Sequence, residues 1–344
     1  MGRRTLRSAS RVLPLTLVAV ALLALAAAHA APRGAGPWLF SYFLDNGQDG
    51  LHLAYSRDGL AWTPLAAGRP ILTPTVGGKL MRDPCILLGP DGVYHAVWTT
   101  GWYEQGIGIA HSKDLITWSE AAFLPVMVHE RRAVNAWAPE IVYDEETSQY
   151  LIFWSTTIPG RFPATDDSGS VNKEGIALNH RIYRTLTRDF KDYSRAELFF
   201  DPGFNVIDAT ILRDGSQYLM FLKDETLRPE ARKDIRLAVA DHALGPYVLA
   251  PEPISKENWV EGPTAFRAGQ DMVVLFDAYT RKRFEGVRSR DVKTWASLGA
   301  ELRMPPGARH GTVFAVPEKI LRGLMAALPP GDPSATKDGR KSSR

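Results

Sequence analysis

Three carboxylates and one histidine are the residues in this sequence best placed to do chemistry. Asp83 stands in Arg82-Asp83-Pro84-Cys85-Ile86, and Asp208 opens Asp208-Ala209-Thr210-Ile211-Leu212. Glu261 opens Glu261-Gly262-Pro263-Thr264, and His310 opens His310-Gly311-Thr312-Val313-Phe314. Each sits at the mouth of a short apolar run. A fifth run, Trp137-Ala138-Pro139-Glu140-Ile141, opens the same way and carries its acid two residues after Ala138. Aligned on their heads, the five read Asp83, Ala138, Asp208, Glu261 and His310. Five related strand openings suggest polar groups aimed at a common point. Like charges gathered there raise at least one pKa. One carboxyl then stays protonated near neutral pH while another is ionised. That supplies an acid for a leaving oxygen and a base for water.

The elements that must position these groups are strands. Between Trp38 and Pro317 no long helical periodicity appears. Short apolar or alternating runs are separated by Asp-Gly, Gly-Pro and Asn-Gly pairs, the pattern of an all-β chain. A second repeat runs through it: Ser-basic-Asp, then an aromatic four residues after the Asp. It occurs at Ser56-Arg57-Asp58 with Trp62, at Ser112-Lys113-Asp114 with Trp118 and at Ser289-Arg290-Asp291 with Trp295. Looser copies are Thr187-Arg188-Asp189 with Tyr193 and Asp241-His242 with Tyr247. The leading residues are spaced by 56, 75, 54 and 48 positions, periods that suit a four-stranded unit. Ser and Asp there can bond local backbone, and the aromatic can plug the space between sheets.

Combining both repeats gives blades. Residues 83–120 hold four runs: Cys85–Leu88, Val93–Thr99, Ile107–Ala110 and Thr117–Ser119. Residues 137–200, 208–250 and 261–298 repeat the order. A fifth blade must join His310–Val316 to the N-terminal runs Trp38–Phe43, Leu51–Tyr55 and Ala61–Leu65. The expectation is one five-bladed β-propeller over residues 37–317, its last blade closed by strands from both ends. A long Pro-, Gly- and Asp-rich segment, 158–179, interrupts the second blade and is expected to be an ordered loop beside the site.

The chain has 344 residues, 45% of them hydrophobic, enough for a sizeable core. Residues 1–30 read as a secretory signal peptide: Arg3, Arg4, Arg7 and Arg11, an apolar run Leu13–Ala27, then Ala28-His29-Ala30. A membrane anchor is the other reading, but the run is shorter than the roughly 20 residues a span needs. The expected location is secreted or periplasmic, without stable membrane association once the leader is cleaved. Without the leader's four arginines, 41 Lys and Arg become 37, against 38 Asp and Glu. Nothing in that balance calls for a nucleic-acid partner. The lone Cys85 permits no intramolecular disulfide and reads as a small core residue. Residues 318–344 read as a short helix, Glu318–Leu328, followed by a disordered basic tail.

The five openings, in this order and interleaved with the Ser-basic-Asp turns, resemble glycoside hydrolase family 43 over essentially all of 38–317. That resemblance implies a five-bladed propeller hydrolysing glycosidic bonds with inversion, as an α-L-arabinofuranosidase, β-xylosidase or galactan-active enzyme. It implies that Asp83 is the general base, Glu261 the general acid and Asp208 the group that holds the sugar and tunes the acid. Inversion places acid and base carboxyls roughly 6.5–9.5 Å apart, with room for a water. His310 resembles a family histidine near the axis, associated through water with a cation such as calcium; a neutral imidazole satisfied by backbone is the alternative. The chemistry itself requires no cofactor, and no Asp-rich loop reads as a calcium cage.

Around this centre, Arg82, Trp102, Trp137, Glu140, Arg288 and His310 are candidate sugar-binding residues, the tryptophans as platforms for an apolar sugar face. Asp45, Arg161, Arg281 and the segment Lys223-Asp224-Glu225 are further candidates, each with a bland reading as turn, ion pair or solvated polar group. Trp98, Trp62, Trp118 and Trp295 read as structural. Two rival functions are a carbohydrate-binding propeller without catalysis and a retaining, fructan-type hydrolase or transferase. The first would lack one of the three acids. The second would need an upstream nucleophile, and the Asp45 region lacks its signature.

Overall fold

A computed structural model describes residues 1–2 and 37–329. Residues 3–36, which include most of the expected leader, and the expected tail from residue 330 onward lie outside the described residues. Five four-stranded antiparallel sheets surround one axis, giving the expected five-bladed propeller. Blade one runs outward as Arg82–Leu88, Tyr94–Thr99, Ile107–Ser112 and Ala122–Leu124. Blade two is Trp137–Asp144, Gln149–Thr157, His180–Thr187 and Glu197–Phe200. Blade three is Val206–Asp214, Gln217–Asp224, Ile235–Ala240 and Val248–Leu249. Blade four is Glu261–Ala268, Asp271–Ala278, Arg283–Ser289 and Ala296–Ser297.

Blade five begins with Ala308–Ala315 and continues through Trp38–Leu44, His52–Ser56 and Thr63–Pro64. It is therefore closed by both ends of the chain. This joins the C-terminal strand to the N-terminal three by backbone hydrogen bonds and leaves no open edge between first and last blades. One expected strand moves. Thr117–Ser119 is not the outer strand of blade one. Trp118 makes only an isolated bridge to Ser112, and Ala122–Leu124 takes the outer place.

The core is divided among the blade interfaces, one apolar cluster at each. The Ser-basic-Asp turns supply a plug to every one. Trp62 of blade five packs edge-on to Phe266 of blade four. Trp295 of blade four packs edge-on to Phe221 of blade three, and Tyr247 of blade three meets Phe199 and Phe200 of blade two. Tyr193 and Trp118 join the two remaining clusters. The turn itself is held locally. Ser56 donates to Asp58, whose Oδ1 accepts the N–H groups of Leu60 and Ala61. Asp114, Asp189 and Asp291 accept in the same way. One motif thus turns the chain and delivers an aromatic wedge to the neighbouring blade.

After Val316 the helix Glu318–Ala327 lies against the cluster between blades five and one, burying Leu321 and Leu324. Arg57 grips Glu318 through two bonds of 2.9 Å.

Candidate active site

At its mouth every inner strand slips register by one residue against its neighbour. Two residues there face one: Asp83-Pro84, Ala138-Pro139, Asp208-Ala209, Gly262-Pro263 and His310-Gly311. Such a bulge bends the strand and re-aims a side chain. Asp83, Ala138, Asp208 and Gly262 take φ of 51°, 46°, 54° and 58°. A non-glycine residue in that region costs roughly 1–2 kcal/mol, so three strands hold a strained residue at the same place.

This register corrects the alignment of the five openings. Glu261 is not the counterpart of Asp83; Gly262 is. Glu261 stands one residue earlier, level with Arg82, Trp137, Ile207 and Arg309. The glycine is required, because a methyl there would lie 2.3 Å from His310 Cγ. One layer deeper sits a second ring, Cys85, Glu140, Thr210, Thr264 and Thr312, all buried.

Asp83, Asp208 and His310 meet at the centre. His310 Nδ1 is 3.3 Å from Asp83 Oδ1 and 3.9 Å from Asp208 Oδ2. Asp83 Oδ2 accepts the Thr99 hydroxyl at 2.9 Å, and Asp208 Oδ2 accepts the Gly262 N–H at 3.0 Å. Burial pushes Asp83 up. The hydrogen bond and charge of His310, with Arg82 and Thr99, outweigh it and bring Asp83 down to about 2. Burial also pushes Asp208 up; the Glu261 charge adds to this against the pull of His310, and Asp208 rises to about 6. His310 is lowered by burial but raised further by Asp208 and Asp83, to about 9. The centre therefore holds an ionised Asp83, a proton-accepting Asp208 and a cationic imidazolium between them.

Glu261 is held from both sides. Lys223 Nζ reaches Oε2 at 3.1 Å and Arg309 Nη2 reaches Oε1 at 2.9 Å. Lys223 is itself buried, 2.7 Å from Glu225 and 4.8 Å above the Tyr279 ring. Glu225 also accepts from Lys233, and Arg309 also pairs with Asp277. Of these, Lys223 and Glu225 read in the sequence only as polar residues that bind sugar or face solvent. Arg309 was not singled out. Its one signal was its place before His310, matching that of Arg82 before Asp83.

A funnel of about 550 Å³ opens over this centre. Arg82, Asp83, Trp102, Trp137, Asp208, Glu261 and His310 all line it, as do Asp45 and Asn46. Trp102 and Trp137 meet edge-to-face at 5.8 Å, and the Trp137 indole N–H donates to the Trp102 carbonyl. The loop 158–179 reaches the rim, where Ser170, Val171, Asn172, Lys173 and Leu178 form one wall. Buried Arg181 anchors it, donating to Thr165 and Asn179 and stacking 4.2 Å from Phe162.

Two candidate sugar ligands fall elsewhere. Glu140 lies in the deeper ring, where Thr312, Thr210 and the Cys85 thiol bond it at 2.9, 3.1 and 3.4 Å. Burial pushes its carboxyl up, and it faces a depression at the other end of the axis. Arg288 projects from the third strand of blade four onto Glu301 and lines a separate surface depression. Arg161 and Arg281 are likewise engaged with Glu130 and Glu285, away from the funnel. Trp98 is buried in the core. A depression of about 650 Å³ beside Phe284 and Met304 contains none of the central carboxylates.

Among the described residues, no group of three or more His, Cys, Asp or Glu side chains is arranged to hold a metal ion.

Fold and site together define a carbohydrate-hydrolase type of propeller, with three convergent acids at the mouth of the axis. The chain belongs to the family 43-related glycosyl hydrolases: a family model described as "Probable glycosyl hydrolase domain" matches residues 35–320. An α-L-arabinofuranosidase of Bifidobacterium longum subsp. longum is 24% identical over 178 residues, 46% of this chain. The chain spans 16% of that relative's length. The crystal structure of a thermostable family-43 glycoside hydrolase superposes with a TM-score of 0.50 at 16% identity, over 70% of this chain and 81% of that one. An α-L-arabinofuranosidase from Lactobacillus brevis gives 0.45 at 19%, over 63% and 72%. At these identities the structural likeness is one of fold.

Proposed function

We propose that this protein is an exported glycoside hydrolase that cleaves a terminal sugar with inversion. The observation that carries the reading is the convergence of Asp83, Asp208 and Glu261 on one funnel, with His310 facing the first two and Lys223 and Arg309 holding the third. Asp83 is ionised across the working pH range and serves as the base that takes a proton from water. Asp208 holds a proton in the mildly acidic range beside Glu261, and its carboxyl can bond a sugar hydroxyl. Glu261 protonates the leaving oxygen. Both its oxygens are engaged by Lys223 and Arg309, so a substrate must displace one cation before the acid can act. Trp102 and Trp137 offer faces to the sugar ring, and the wall at 170–173 closes one side, which favours release of a terminal residue. The leader supports action outside the cytoplasm. Arabinofuranosides head the substrates to try, because the curated relative is an α-L-arabinofuranosidase.

The test is a panel of nitrophenyl α-L-arabinofuranoside, β-D-xyloside and β-D-galactoside with wild type, Asp83→Asn and Glu261→Gln. Asp83→Asn should lose about 10²–10⁴-fold on every substrate. Glu261→Gln should lose as much on natural glycosides and far less on activated aryl glycosides, whose leaving groups need no proton. Full activity of Glu261→Gln on a natural glycoside would overturn the acid assignment. Proton NMR of the first-formed anomer should show inversion; retention would support a fructan-type reading, and no turnover at all would support a binding propeller.

A further inference from the structure

Most cations around the funnel are already matched to acids. Lys223 faces Glu225 and Glu261, and Arg309 faces Asp277 and Glu261. Two lining cations are not. Among the described residues, neither Arg82 nor Lys173 has a carboxylate within ion-pair distance, yet both line the funnel. Arg82 is also pre-organised. Its guanidinium lies 4.4 Å from the Trp102 ring and 4.8 Å from the Phe43 ring, and Nη1 donates to Asn46 Oδ1 at 3.0 Å. Trp102 donates to the same Asn46 oxygen at 3.2 Å, which locks platform and cation together. Asp83, whose charge Arg82 feels, already accepts from Thr99 and faces His310. The remaining guanidinium donors are thus left for something that enters. Lys173 stands exposed on the loop that forms the wall.

A fixed planar fork beside a sugar platform, with a second, exposed cation on the rim, suits a bidentate oxyanion. From this we propose that the substrate is an acidic glycan, bearing a carboxylate or sulfate ester seated between Arg82 and Lys173. The inference rests on the glycosidase reading of the same funnel and names its substrate class. A cationic rim also fits the chemistry. The centre gains positive charge whenever Asp208 takes up a proton, and an anionic substituent offsets it. Asp45, on the same turn as Asn46, is one of the lining acids that would oppose a misplaced anion.

The test is calorimetric binding to Glu261→Gln protein, which keeps the funnel while slowing turnover. The probes are glucuronosyl, galacturonosyl and O-sulfated disaccharides, each beside its neutral counterpart. At least one acidic member should bind about tenfold or more tightly than its neutral partner at low salt, with the gap closing toward ~0.5 M NaCl. The uronosyl and sulfated arms tell carboxylate from sulfate. Adding Arg82→Gln or Lys173→Gln should shrink that ratio, and Arg82→Lys should restore it only in part, because the fork is lost. No separation in any pair, or a separation untouched by both substitutions, overturns the proposal. An enzyme that hydrolyses neutral aryl glycosides yet separates no pair keeps the glycosidase reading and loses this one. A protein that separates pairs but hydrolyses nothing does the reverse.

Discussion

His310 sets the electrical balance of the centre, because one imidazolium faces two carboxylates in a buried site. Folding raises it from an ordinary 6.5 to about 9. Its contribution to stability is therefore fully present below pH 6.5 and is lost as pH rises through about 9. Asp83 works in the opposite sense. Its contribution is present above pH 3.8 and is lost as pH falls through about 2. His310→Gln should lower the urea midpoint clearly at pH 6, and the gap to wild type should narrow by pH 10. Equal gaps at pH 6, 8 and 10 would show that His310 acts by packing alone. The same substitution should remove the proton-holding balance between Asp83 and Asp208. The acidic limb of the pH–rate profile should move with it, a shift that a packing role would not produce.

At the scale of the strand, the bulge does the positioning. Four of the five inner strands place one residue at positive φ in the bulge, and blade four spends that place on Gly262. The glycine lets His310 occupy the space and lends its N–H to Asp208. Gly262→Ala should cost about 2–4 kcal/mol, from strain at φ and a clash with the imidazole. Activity should fall with it. Ala138→Gly, at the matching place in blade two, relieves the same strain while loosening the unfolded chain and should change stability by less than about 1 kcal/mol. Paired urea melts check both. Similar effects from the two substitutions would mean that the bulges are not equivalent. The register was partly legible in sequence. Pro84, Pro139 and Pro263 mark the second bulge residue in three strands, and aligning on proline instead of on the acid puts Gly262 opposite Asp83. The charged heads drew the alignment one residue astray, because a glycine carries no chemistry of its own to notice.

For the whole molecule, closure is the decisive event. The strand Ala308–Ala315 is last in the chain but innermost in blade five, where it carries His310 and bonds to Trp38–Leu44. A chain ending at residue 307 lacks both the closing strand and the imidazolium, and should show no cooperative thermal transition. A chain ending at Val316 keeps the ring and loses the helix that buries Leu321 and Leu324. It should fold and melt cooperatively at a lower temperature, since burying two leucines contributes roughly 1.5–3 kcal/mol each. Circular dichroism melts separate the two. A cooperative melt of the shorter chain with an unchanged midpoint would show that closure is not required. The same closure explains why Arg57 in blade five can bond Glu318, far along the chain.

The sequence by itself determined the repeat, the blade count, the closing of the fifth blade from both ends and the acids that share the funnel. These follow from local periodicity and from motifs that recur because each blade solves the same packing problem. The turn aromatics were legible for the same reason. Tertiary structure alone decided three things. It set Glu140 one ring below the site and turned Arg288 onto Glu301, because strand register and pleat, not distance along the chain, choose the face a side chain presents. It brought Lys223 and Arg309 to opposite oxygens of Glu261 across 38 and 48 residues of chain. And it left Arg82 fixed between two rings without an ionic partner among the described residues, since pairing depends on which carboxylates the fold brings within a few ångströms. Charge types can be read in order along a chain; which charges meet is settled only when the ring closes.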